Sequence, residues 1–185
     1  MKKIIIYFIL LAGLLSCKTL KVATETPTPV PATETVTPAT DFSLASTWLL
    51  GYFNQSRLTS MPYSEWYLKG FSEYSYNEGV VQKLREINTD NLNIKIVMGT
   101  WCPDSRREVP RFMRVLDGWV FPSGKIQFIG VDNQKLSPVG EYEGLGIQRI
   151  PTFIIYKNNI EAGRIIENPT TSLEQDILNI LSKKE

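Results

Sequence analysis

Apolar positions along the chain fall into stretches of different period, and each stretch predicts a different element. After Lys2-Lys3 comes an apolar run from Ile4 to Leu15, followed over residues 18–41 by a Thr/Pro tract with no pattern that would bury a core. Residues 43–56 place Leu44, Trp48, Leu49 and Tyr52 at helical spacing, which predicts a helix. Residues 62–76 are rich in rings (Tyr63, Trp66, Tyr67, Phe71, Tyr74, Tyr76), and Val80, Leu84 and Ile87 mark a helix over 77–87. Ile94–Met98 reads as a buried strand. Val109, Phe112, Met113 and Leu116 then recur at i, i+3, i+4, i+7, an amphipathic helix. Residues 125–131 form another strand, and residues 152–156 and 162–166 form a hairpin about Asn158-Asn159, both tolerant of positive φ. A last helix turns Leu173, Ile177, Ile180 and Leu181 inward, with Ser172 and Gln175 spaced as a capping box. The order is helices, then β-α-β, then a hairpin, then a helix.

The first apolar run is too short for a spanning helix of about 20 residues. Its end, Leu14-Leu15-Ser16-Cys17, resembles a bacterial lipoprotein signal. The resemblance implies that residues 1–16 are a signal peptide and that Cys17 is acylated at a new N-terminus. The chain is then expected in the cell envelope, outside the cytoplasm and held to the membrane through that anchor only. Lys18 stands where some bacteria use aspartate for inner-membrane retention, which favours the outer membrane. Residues 17–41 become a tether with prolines at 27, 29, 31 and 38 and a repeat, Ala23-Thr24-Glu25-Thr26 and Ala32-Thr33-Glu34-Thr35. As polyproline II it would reach about 70 Å at roughly 3.1 Å per residue.

Composition narrows the chemistry. With 43% hydrophobic and 21% charged residues, the remainder suits one folded domain. A net charge of +1 gives no reason to expect nucleic acid as a partner. The chain has no histidine, which removes Ser-His-Asp and Cys-His catalysis and leaves little with which to build a zinc site. No metal or other cofactor is implied. Only two cysteines exist, Cys17 and Cys102, so the folded part has one cysteine sulfur and no internal disulfide.

That sulfur stands in Thr100-Trp101-Cys102-Pro103-Asp104-Ser105, where the buried strand ends and the amphipathic helix begins. A Cys-x-x-Cys there would be a dithiol redox centre. Trp101-Cys102 after a core strand, Pro110 eight residues later, and Gly146–Phe153 with Pro151 before a strand together resemble the thioredoxin family over residues 77–185. The resemblance implies an α/β, thioredoxin-like fold: a central mixed β-sheet flanked by helices, here with an aromatic-rich helical extension over 42–76. It implies a cis peptide before Pro151, beside the cysteine, with Ile150 pairing its backbone to an extended substrate. Trp101, Pro103, Asp104, Ile150 and Pro151 would form the substrate surface, and Cys102 and Ser105 the catalytic pair.

Two departures are selective. Ser105 stands where the family has its resolving cysteine, and Ile96 where many thioredoxins bury an aspartate. Both absent groups serve the second half of the reaction. Cys102 at a helix N-terminus would then work as a monothiol exchanger on protein or small-molecule disulfides, with an external thiol resolving the mixed disulfide. Ser105 is expected to hydrogen-bond the sulfur. Arg106, Arg107 and Arg149 would rim the site unless they are plain solvated surface or pair with Asp104, and Asp132 reads as a turn-former. Two alternatives stand beside exchange: a client-binding module using the cis-proline groove without turnover, and a thiol peroxidase. The extension's rings either pack on the sheet or line a groove near the thiol.

Overall fold

A computed structural model of the chain describes residues 40–183. The signal-like run, Cys17 and the Thr/Pro tract to residue 39 lie outside the described residues. Among those described, no helix is long and apolar enough to cross a membrane.

Strand β2, Leu92–Met98, is the centre of the architecture. It pairs in parallel with β3, Ile126–Gly130, and antiparallel with β4, Thr152–Lys157. Being flanked on both sides, it is apolar on both faces at its C-terminal end, as a central strand must be. Helix α3, Pro103–Trp119, makes the crossover from β2 to β3. Its predicted stripe of Val109, Phe112, Met113 and Leu116 is buried against Ile94, Ile96 and Met98, and Phe112 stacks on Phe153 with ring centroids 4.1 Å apart. Val97, Ile129 and Val131 point to the other face and form a second cluster with Cys102, Tyr142 and Ile150.

Strand β5, Ile160–Ile166, completes the hairpin with β4, and Asn158 and Asn159 take the expected positive φ of 53° and 62°. Helix α2, Glu78–Arg85, starts at Asn77, whose side chain accepts from the Val80 N–H. Helix α4, Leu173–Leu181, starts at Ser172, which accepts from the Gln175 N–H. Only half of the capping box forms there, because the Gln175 amide turns to Asn179 instead. The result is an α/β fold with a five-stranded mixed sheet flanked by helices.

The region before residue 77 differs from its predicted form. Residues 43–56 are not a helix: a 3-10 turn at Ala45–Thr47 leads into strand β1, Gly51–Phe53, and a second turn at Gln55–Arg57. β1 pairs antiparallel with β3 and gives the sheet order β1-β3-β2-β4-β5. The reason is tertiary. Gly51 takes a φ of +71°, which breaks a helix, and the backbone before it is captured by the edge of β3. Of the four apolar positions that suggested a helix, Leu49 is buried, whereas Leu44 and Tyr52 are exposed. The extension is therefore part of the sheet. Helix α1, Ser64–Glu73, does form as expected, with Tyr63 and Tyr67 buried and Trp66, Phe71, Tyr74 and Tyr76 packed on the same core.

Two measurements test this arrangement. A Cβ on Gly130 would lie 1.9 Å from the Leu49 carbonyl oxygen, whereas one on Gly124 meets nothing within 4 Å. Gly130→Ala should cost about 2 kcal/mol or more in urea unfolding while Gly124→Ala stays within about 0.5 kcal/mol; equal effects would mean β1 does not dock on β3. Burial pushes the Tyr67 hydroxyl up to about 12 from 10.0. A raised folded value means stability that is complete below the unfolded value and is lost as pH climbs through the folded one. Unfolding midpoints should therefore fall between about pH 10 and 12, and Tyr67→Phe should flatten that fall.

Candidate functional site

The turn from β2 into α3 positions the sulfur. Cys102 is the N-cap residue of α3, with extended backbone (φ −80°, ψ 123°), and Pro103 occupies the first helical position, where a missing N–H costs nothing. The turn is tied on three sides. The Cys102 N–H donates to Gly99 O at 3.0 Å, the Gly99 N–H donates to Ser105 Oγ at 3.3 Å, and the Arg106 N–H donates to Cys102 O at 3.0 Å.

Cys102 is 7% exposed, and its thiol donates to the Ile150 carbonyl at 3.7 Å. The Ile150-Pro151 peptide is cis. The two segments singled out from sequence, 48 residues apart at these positions, thus meet at one point. Ser105 is fully buried, and its hydroxyl serves the Gly99 amide; the sulfur's partner is Ile150, contrary to the expected serine–thiol bond. Pro103 is exposed at the helix start and Pro151 is buried. Pro110 is buried inside α3 and seats helix α1, since a Cβ on Gly70 would come 2.7 Å from its ring. Ile96 is buried in the main core.

The charges sort themselves. Arg107 pairs with Asp104 at 2.7 Å and with buried Glu108 at 2.6 Å. Hydrogen bonding to Glu108 first, with Asp104 adding, outweighs desolvation and pushes the Arg107 guanidinium above its ordinary range. Arg149 pairs with Glu167 at 2.9 Å. The Asp132 carboxylate accepts from the N–H groups of Gln134 and Leu136, the turn-forming role expected of it. Arg106 makes no ion pair among the described residues and lies over the Phe42 ring, 4.9 Å from its centroid. The rim of three arginines shrinks to one unpaired cation.

Sequence reasoning missed how the segment before β1 reaches the site. The Thr100 hydroxyl donates to Thr47 O at 3.0 Å and accepts from the Leu49 N–H at 3.3 Å. Thr100 is 1% exposed, so this clasp is shielded from water. It holds Trp48 beside Trp101, with centroids 6.4 Å apart. Phe42, Trp48, Trp101 and Arg106 then share a groove of about 490 Å³. The extension's contribution to the site thus comes from residues 40–48, not from the rings of 62–76. No local pattern signals a contact across 53 residues.

Among the described residues no cluster of three metal-ligating side chains occurs. No family model matches the chain, and no curated protein matches it. Among solved structures it is similar to a protein of unknown function from Pseudomonas aeruginosa, at 14% identity over 64% of this chain and 79% of that one, with a TM-score of 0.44.

The clasp makes a specific prediction. Thr100→Val leaves the Leu49 N–H without its partner, while the Thr47 C=O keeps the bond from the Tyr63 hydroxyl at 2.9 Å, and should cost about 1–3 kcal/mol. Thr100→Ser should recover most of that loss. Proteolysis should also speed up at residues 40–50 in the valine variant. Unchanged stability and cleavage would mean the clasp is dispensable.

Proposed function

We propose that the chain is a thioredoxin-like monothiol exchange protein, lipid-anchored at Cys17 in the bacterial envelope, outside the cytoplasm and on the outer membrane. One observation carries the reading: the Cys102 thiol lies 3.7 Å from the carbonyl that precedes cis-Pro151. A nucleophile placed there can attack a disulfide whose backbone lies along Ile150.

The chemistry balances in two steps. The Cys102 thiolate attacks one sulfur of R–S–S–R, forming Cys102–S–S–R and releasing R–S⁻. An external thiolate then attacks the R sulfur, forms a new disulfide and returns Cys102 as thiolate. Both attack and release pass through anionic sulfur. Ser105 has no sulfur to resolve the intermediate, and its hydroxyl is already engaged by Gly99. The mixed disulfide therefore persists until a second thiol arrives.

The burial of Cys102 favours a second reading, a client-binding module in which the cis-proline loop holds peptide without turnover. Covalent chemistry separates the two. Full-length protein incubated with glutathione disulfide should gain one glutathionyl group, released by added thiol and absent in Cys102→Ala. Ser105→Cys should shorten the adduct's lifetime by about tenfold or more, since its thiol acts at high effective concentration. A wild-type Cys102 that stays unmodified would sink the exchange reading and leave the binding module.

A further inference from the structure

The groove beside Cys102 has a composition of its own. Its floor and walls include Phe42, Trp48, Trp101 and Arg106, with Asp41 and Asn133 at its margins. Both indole N–H groups are already spent: Trp48 Nε1 donates to Phe42 O at 3.0 Å and Trp101 Nε1 donates to Val131 O at 3.1 Å. Their polar edges are tied to the protein, so the rings are held in place and present apolar surface to whatever enters.

The charge is equally specific. Helix α3 carries Arg106, Arg107, Arg111 and Arg114. Arg107 and Arg111 pair with Glu108, and Arg114 pairs with Asp117. Arg106 alone has no carboxylate and rests on the Phe42 ring. It lies one helical turn beyond Cys102, its backbone N–H donates to Cys102 O at 3.0 Å, and with Trp101 it sets the groove next to the turn that carries the cysteine. Asp41 is the other charge in the groove, held below the usual carboxylate range by its bonds from Ser43, side chain first. Its negative charge opposes a highly acidic ligand and leaves room for one carboxylate.

The geometry points to this groove as the substrate subsite for disulfides in which the half that enters carries an aromatic or flat apolar group and a single carboxylate. The carboxylate binds Arg106, the flat group lies against Trp48 and Trp101, and the disulfide is presented to Cys102 Sγ. This deepens the exchange reading by naming its substrate class, and rests on it for the covalent step only.

Two aromatic disulfides test it. Dithiobis(nitrobenzoate) carries one carboxylate on each ring and dithiodipyridine carries none. Each reacts by the same exchange: the Cys102–S–S–aryl bond forms and one aryl thiolate leaves. On the full chain, Arg106→Gln should slow the nitrobenzoate reagent by about tenfold, as expected for the loss of one charge-assisted contact. The dithiodipyridine rate should change by less than about twofold, which also reports that the variant is folded. Arg106→Lys should fall between. Equal slowing of both reagents, or of neither, would overturn the subsite.

Binding without chemistry gives a separate reading. On the double variant Cys17→Ser, Cys102→Ser, calorimetry with dithiobis(nitrobenzoate) should show binding weakened about tenfold by Arg106→Gln. Trp48→Ala should also weaken it. Arg106-dependent binding with no covalent labelling of wild type would keep the subsite and discard exchange. Labelling of wild type with both rates and affinities indifferent to Arg106 would keep exchange and discard the subsite.

Discussion

One buried hydroxyl connects the site to the rest of the molecule. Thr100 lies two residues past strand β2, in the turn to Cys102, and its Oγ bridges Thr47 O and the Leu49 N–H. The same few residues must therefore satisfy two demands. They must close the turn that aims the sulfur, and they must fasten the segment that precedes β1. A buried hydroxyl can do this because it is both donor and acceptor, and leaving the Leu49 N–H alone in the core would be costly. On the inner side of the turn, Ser105 Oγ meets the Gly99 N–H in the same way. Two side-chain oxygens thus bracket the cysteine without either touching its sulfur.

This bracketing changes what Ser105 means. Read alone, the residue looks like a resolving cysteine reduced to its hydroxyl. In the fold it is fully buried and hydrogen-bonded to backbone. Hydroxyl oxygen is a better acceptor than sulfur, so serine suits this structural task. The site's electrostatics follow a similar economy. Glu108, 4% exposed at its side chain, absorbs two arginines of α3, Arg107 and Arg111. A buried carboxylate must be paired, and pairing it engages two of the four arginines of α3. What remains is Arg106, positioned by an aromatic ring instead of an acid.

Much of this was legible in the chain, and what was not has a common cause. The α3 stripe, the central strand, the Asn158-Asn159 hairpin and the meeting of Cys102 with the Ile150-Pro151 segment all follow from local period, turn chemistry or a family-like arrangement. Each depends on residues close in sequence or on a recurrent frame. Strand β1 did not follow, because three residues carry too little pattern, and the apolar spacing around them imitates a helix. What decides their conformation is the edge of β3 and the hydroxyl of Thr100, both far along the chain. Tertiary pairing overrode local propensity there. The groove was illegible for the same reason, since it exists only once residues 40–48 are laid across the end of β2.

That dependence has a consequence for how the site is built. The walls of the groove come from two sources with different constraints. Trp101 and Arg106 flank the cysteine on α3 and its leading turn, where helix geometry and the β2 register hold them. Phe42 and Trp48 come from a segment with little regular structure, fastened by the Thr100 clasp, the edge of β3, the Tyr63 hydroxyl on Thr47 O and the packing of Phe42 on Tyr63 and Trp66. Segments with few buried apolar contacts open at lower free energy than the core to which they attach. The sulfur and its immediate frame rest on regular helix and strand, and the aromatic wall on long-range side-chain contacts. On the proposed exchange reading, an incoming disulfide would need access to a cysteine that is 7% exposed, and the segment bearing Phe42 and Trp48 is the part of the site outside regular structure. Ligand contact with Trp48 and Phe42 would then favour the opened arrangement only to the extent that it binds it better than the closed one.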